Sequence, residues 1–131
     1  MSLKKVMILD DDKHFLDQLG ELLTLSGYEM VAVNDAVKAV DVAVKTHPDI
    51  VVLDIKMPGR NGFQVAADLR QLSVLKNVPL IAMTGFYSRE EGKQIIQAFK
   101  IDKCLIKPFR PLDVIASIEE LLLAKEEKYA K

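Results

Sequence analysis

Five short runs of β-forming residues alternate with five helix-length amphipathic segments, and this alternation constrains the fold more than any other feature of the chain. The runs are KVMIL (Lys5–Leu9), EMVAV (Glu29–Val33), DIVVL (Asp49–Leu53), PLIAM (Pro79–Met83) and KCLI (Lys103–Ile106). The third and fourth are continuously apolar, as suits strands covered on both faces of a parallel sheet. In the first intervening segment Phe15, Leu16, Leu19, Leu22 and Leu23 recur at helical spacing, up to a stop at Gly27. In the second, Ala36, Val37, Val40, Ala43 and Val44 predict a helix opened by Asn34 or Asp35 and ended before Pro48. Phe63, Val65, Ala66, Leu69 and Leu72 predict a third. Ser88 and Glu91 have the spacing of a capping box ahead of Ile95, Ile96 and Phe99. Pro111 stands at a first helical position ahead of Val114, Ile115, Ile118, Leu121 and Leu122. Right-handed crossovers between parallel strands then imply an α/β, doubly wound sheet of five strands with helices on both faces.

The 131 residues suit a single domain with a core of its own. Eighteen basic side chains against nineteen acidic ones provide no general attraction for nucleic acid. Cys104 is the only cysteine, which excludes an internal disulfide and a cysteine-based metal site and fits a cytoplasmic setting. No apolar run approaches the length of a membrane span, and no membrane association is expected.

In open α/β sheets the functional crevice lies beyond the carboxyl ends of the strands. Asp10, Asp11 and Asp12 follow the first run, Asp54 the third, Thr84 and Gly85 the fourth, Lys107 and Pro108 the fifth. Each has an ordinary explanation alone: Asp12 is a natural helix cap, Thr-Gly a turn, Lys107 a surface lysine. Their convergence on one rim does not, because crowded carboxylates repel unless a positive charge compensates. A hard divalent cation such as Mg²⁺, for which Mn²⁺ could substitute, takes oxygen ligands of this type. Asp11 and Asp54 are the leading ligands, with Asp10 assisting through a water. The chemistry this suits is phosphoryl transfer to an Asp nucleophile, which needs positioning and charge neutralisation more than further reactive groups. His47, before Pro48, reads as a solvated loop residue. His14 lies nearer the acidic rim but has no second His or Cys at ligand spacing.

The pair DD after the first strand, LDIKMPGRNGF, MTGF and KPF, in this order and at these strand ends, resemble the receiver domain of two-component response regulators, the CheY-like superfamily. The resemblance covers residues from about 4 to about 124 of a single domain spanning the chain, with 125–131 as a helix end or the start of a linker. It implies the strand order 2-1-3-4-5. It assigns Asp54 as phosphoacceptor, Asp10 and Asp11 as the acidic pair with Asp11 a direct Mg²⁺ ligand, and Lys56 as a ligand through its backbone carbonyl. Thr84 becomes the hydroxyl that moves toward the phosphoryl group, Lys107 the lysine that pairs with it, and Pro108 the proline that often follows in cis. The implied donor is a sensor histidine kinase or a histidine phosphotransfer protein. The switching surface is helix four, strand five and helix five, acting on an output domain or target protein, and a phosphorylation-dependent homodimer is compatible with it. Such a domain is not an enzyme beyond catalysing its own phosphorylation and dephosphorylation.

The chain departs from the family pattern at Cys104, where an aromatic residue usually takes part in the switch, and at Lys100-Ile101, where a Gly-Ala pair is usual. Cys104 keeps open the alternative of a degenerate receiver that acts as a phosphorylation-independent interaction module. An aspartate-nucleophile phosphatase of the haloacid dehalogenase type needs a second Asp where Lys56 stands, and a flavodoxin-like flavin carrier needs a phosphate loop where three aspartates stand. The positions that tune hydrolysis in the family hold Lys56 and Phe86, neither able to orient a water as a carboxamide or carboxylate would. The phosphoryl group is therefore expected to last minutes or more; an autodephosphorylation time of seconds would refute this.

Overall fold

The computed structural model describes residues 3–55, 62–85, 89–106 and 108–129. Five strands, β1 (Lys5–Leu9), β2 (Glu29–Val33), β3 (Ile50–Asp54), β4 (Leu80–Thr84) and β5 (Lys103–Ile106), form one sheet in the order β2-β1-β3-β4-β5. Every pairing is parallel. The helices are α1 (Lys13–Leu25), α2 (Ala39–Thr46), α3 (Gly62–Gln71), α4 (Arg89–Phe99) and α5 (Pro111–Tyr129).

Alternate residues of the central strands feed two cores. Met7, Leu9, Val51, Leu53, Leu80 and Ala82 face α2, α3 and α4, while Val6, Ile8, Ile50, Val52, Ile81 and Met83 face α1 and α5. All residues of β3 and β4 are buried, which accounts for their unbroken apolar runs.

The observed β3 and β4 each begin and end one residue later than the apolar runs predict. Pro79 has no N–H to donate, and the backbone ladder continues through Asp54 and Thr84 regardless of side-chain polarity. The second helix also opens differently. Asp35 accepts from the Val37 N–H (3.0 Å) and caps a 3-10 turn over Ala36–Lys38, and the α-helix proper begins at Ala39. Three residues per turn put Ala36 and Ala39 on the same face, and both are buried. The Ser88–Glu91 capping box involves Ser88, which lies outside the described residues.

Helix α1 ends as Gly27 leads one to expect. With φ +87°, Gly27 donates to the Thr24 carbonyl (3.1 Å) while Tyr28 donates to that of Leu23 (2.9 Å), a Schellman ending. Helix α4 ends in the same way but with a lysine: Lys100 has φ +53°, and the Ile101 N–H reaches the Ile96 carbonyl (3.1 Å). A left-handed L-residue costs about 1–2 kcal/mol, partly offset in the glycine variant by greater unfolded-chain entropy. Lys100→Gly is thus expected to raise stability by about 0.5–1 kcal/mol in urea unfolding, with the slope against denaturant unchanged.

The Lys100 carbonyl is held by Arg70 of α3, whose Nε and Nη2 donate to it at 3.1 and 2.7 Å. Nη1 of Arg70 donates to the carbonyls of Lys76 (3.1 Å) and Val78 (2.6 Å), and more weakly to that of Leu75 (3.4 Å). Nη2 also meets Asp102 (3.1 Å), whose same oxygen accepts from the Leu80 N–H (2.8 Å). One guanidinium therefore joins the loop before β4 to the loop before β5.

Candidate functional site

Parallel strands in matched register end together. Leu9 of β1 pairs with Leu53 of β3, so Asp10 and Asp54 come next to each other at the carboxyl edge. Asp54 pairs with Met83, and Thr84 stands one residue farther along the same rim. Thr84 pairs with Ile106, the residue before Lys107. Four of the predicted site residues, Asp10, Asp11, Asp54 and Thr84, therefore belong to one edge for a backbone reason. Lys56 and Lys107 lie outside the described residues.

Asp10, Asp11 and Asp54 each present a carboxylate oxygen within 4.8 Å of the other two. Asp10, Asp54 and Thr84 are buried, at 3%, 6% and 2% exposure, whereas Asp11 is open to solvent. The three consecutive aspartates do different work. Asp10 donates its N–H to the Val33 carbonyl of β2 (3.1 Å), and its Oδ1 accepts from the Asp12 N–H (2.9 Å). Asp12 accepts from the Phe15 N–H (3.1 Å) and caps α1. Asp11, between them, reaches the cluster from the solvent side. Three hard anionic oxygens, two of them on buried residues, fit a cation of the Mg²⁺ type, which tolerates a partly hydrated site.

The segment after Lys107 is anchored by a contact that sequence periodicity does not reveal. Phe109 meets Phe15 of α1 edge-on, with ring centroids 6.2 Å apart and planes at 74°. Phe109 belongs to no periodic element; the one sequence signal is a large aromatic residue directly after Pro108. Phe63 of α3 stacks on Phe99 of α4 at 4.6 Å. On β5, Cys104 is half-buried in register with Ala82 and packs on the core cluster that also receives Ile96 and Phe99 of α4. Burial pushes its thiol pKa up, so the side chain stays a neutral packing group. A cleft of about 370 Å³ between Arg70, Lys76, Lys100 and Asp102 lies at the opposite end of the strands and has no part in the carboxylate cluster.

A family model of the response regulator receiver domain matches residues 6–119. The polar-differentiation response regulator DivK of Brucella abortus is 32% identical over 94 residues, spanning 72% of this chain and 76% of its own. Among solved structures, the chemotaxis response regulator CheY4 of Vibrio cholerae superposes with a TM-score of 0.84 at 28% identity, covering 91% of this chain and 98% of its own. A CheY-like receiver domain protein of Methanospirillum hungatei gives 0.87 at 27% identity, covering 97% and 99%.

Proposed function

This chain belongs to the response regulator receiver family, and on that premise we propose that it accepts a phosphoryl group on Asp54 from a histidine kinase or histidine phosphotransfer protein of a two-component system. The observation that carries the proposal is the meeting of the Asp10, Asp11 and Asp54 carboxylates within 4.8 Å at the strand edge, beside buried Thr84. An Asp54 oxygen forms the new P–O bond as the donor's P–N bond breaks, and the leaving imidazole takes the electron pair. Phosphoryl transfer of this type rests on orientation and charge neutralisation.

Asp10, Asp11 and Asp54 would hold Mg²⁺, with the Lys56 carbonyl, and the ion would supply positive charge against the phosphoryl oxygens. Thr84, one residue past the Met83 that pairs with Asp54, would donate a hydrogen bond to a phosphoryl oxygen there; Lys107 would pair with another. The domain turns over only its own acyl-phosphate and acts by presenting α4, β5 and α5 to a target in the cytoplasm. Modification works in such a case by adding charge next to a bistable element. No helix among the described residues is long and apolar enough to cross a membrane.

Acetyl phosphate with Mg²⁺, followed by intact mass, tests the proposal. The parent chain is expected to gain one phosphoryl group and Asp54→Ala none. Failure of the parent chain to gain it would favour the phosphorylation-independent interaction module, the reading that half-buried Cys104 on β5 supports.

A further inference from the structure

We propose that Gly62 is a positioning residue for Asp54, its bare Cα allowing α3 to clamp the backbone that carries the phosphoacceptor. Gly62 is the first residue of α3 and is buried. Its N–H donates to the Ile55 carbonyl at 3.0 Å. A Cβ at this position would stand 2.5 Å from the Asp54 carbonyl oxygen, 2.8 Å from the Ile55 Cα and 3.2 Å from the Asp54 carbonyl carbon. All three neighbours are backbone atoms, so no flexible side chain can give way. Either the helix start or the Asp54–Ile55 peptide has to move.

The same peptide is held from the other side, where the Ile55 N–H donates to the Met83 carbonyl of β4 at 3.0 Å. Ile55 is thus tied through its N–H to β4 and through its carbonyl to α3, directly after the residue whose side chain must meet Asp10 and Asp11. Groups that orient metal ligands from behind commonly change metal affinity by about 10–100-fold when altered, and tenths of an ångström matter to a cluster this tight. Glycine is required here for close approach, whereas at Gly27 it is required for its left-handed φ, with no atom within 4 Å of an added Cβ.

This inference rests on the Mg²⁺-dependent reading of the site, and its test separates the two. Mg²⁺ affinity is measured by titration calorimetry for the parent chain, Gly62→Ala and Gly27→Ala, with thermal unfolding of each. Gly62→Ala is expected to lose about 10–100-fold in affinity. Gly27→Ala, destabilised by backbone strain away from the carboxylates, should bind as the parent does. Equal affinity in Gly62→Ala and the parent overturns the inference, as does a loss in Gly27→Ala of the same size. If Gly62→Ala does not fold, amide exchange in the parent decides. Mg²⁺ should slow exchange at the Gly62 amide more than at the Gly27 amide, and equal slowing overturns the clamp. A parent that binds Mg²⁺ but takes no phosphoryl group from acetyl phosphate removes the phosphoacceptor reading and leaves the clamp standing. One that binds no Mg²⁺ removes both.

Discussion

Asp54→Asn is expected to be more stable than the parent chain in metal-free buffer, and Mg²⁺ should reverse the order. The carboxylates of Asp10, Asp11 and Asp54 approach within 4.8 Å of one another. A pair of unit charges at that separation repels by about 0.9 kcal/mol in a water-like dielectric and about 3.5 kcal/mol at an effective dielectric of 20. Burial of Asp10 and Asp54 argues against the low end, and the exposure of Asp11 against the high one. Neutralising Asp54 removes two of the three repulsive pairs, for a gain of at least about 2 kcal/mol by urea unfolding in EDTA. Saturating Mg²⁺ at about 100 times its dissociation constant should add about 2.7 kcal/mol to the parent and much less to the variant. An Asp54→Asn variant less stable than the parent in EDTA would show that the carboxylate contributes more through its own hydrogen bonds than it costs in repulsion.

Arg70→Ala should be strongly destabilising although it lies far from the carboxylates. The side chain is only 12% exposed and donates to four backbone carbonyls as well as to Asp102. A half-exposed ion pair such as that with Asp102 is worth little by itself, about 0–1 kcal/mol. The carbonyls decide the outcome, because hydrogen bonds from a charged donor contribute about 1.5–3 kcal/mol and acceptors left unsatisfied cost more. A total loss of about 3 kcal/mol, or roughly 10 °C in Tm, is expected for alanine. Arg70→Lys should recover little of it, since one ammonium cannot span carbonyls that a planar fork reaches in several directions. Asp102→Ala separates the contributions, with a smaller loss expected, because it removes the ion pair and the acceptor for the Leu80 N–H but leaves the carbonyl bonds in place. Recovery in Arg70→Lys to near the parent's Tm would contradict this account.

The carboxylate edge and the Arg70 junction differ in how far the chain itself announces them. Strand positions are legible to within one residue because apolar runs of four or five residues between amphipathic segments have few other interpretations. Expectation and structure part where side-chain chemistry and backbone pairing diverge, at Asp54 and Thr84 in the ladder and in the 3-10 opening of the second helix. Gly27 and Pro111 are legible because their constraints are local. Arg70 is not, because nothing in an amphipathic helix marks one arginine as the acceptor-gathering one. Its partners lie up to 32 residues away.

Asp54 marks the same division. Its place at the end of a buried run, with acidic, hydroxyl and lysine residues after the neighbouring runs, is determined by the sequence, since parallel strands must deliver their succeeding residues to one edge. The tertiary structure alone decided that three carboxylates come within 4.8 Å and that Asp12 turns away to cap a helix. It also decided that a glycine eight residues downstream sits against the backbone of Asp54 itself. Strand order and register arise from long-range pairing, and close packing leaves Gly62 no room for a side chain.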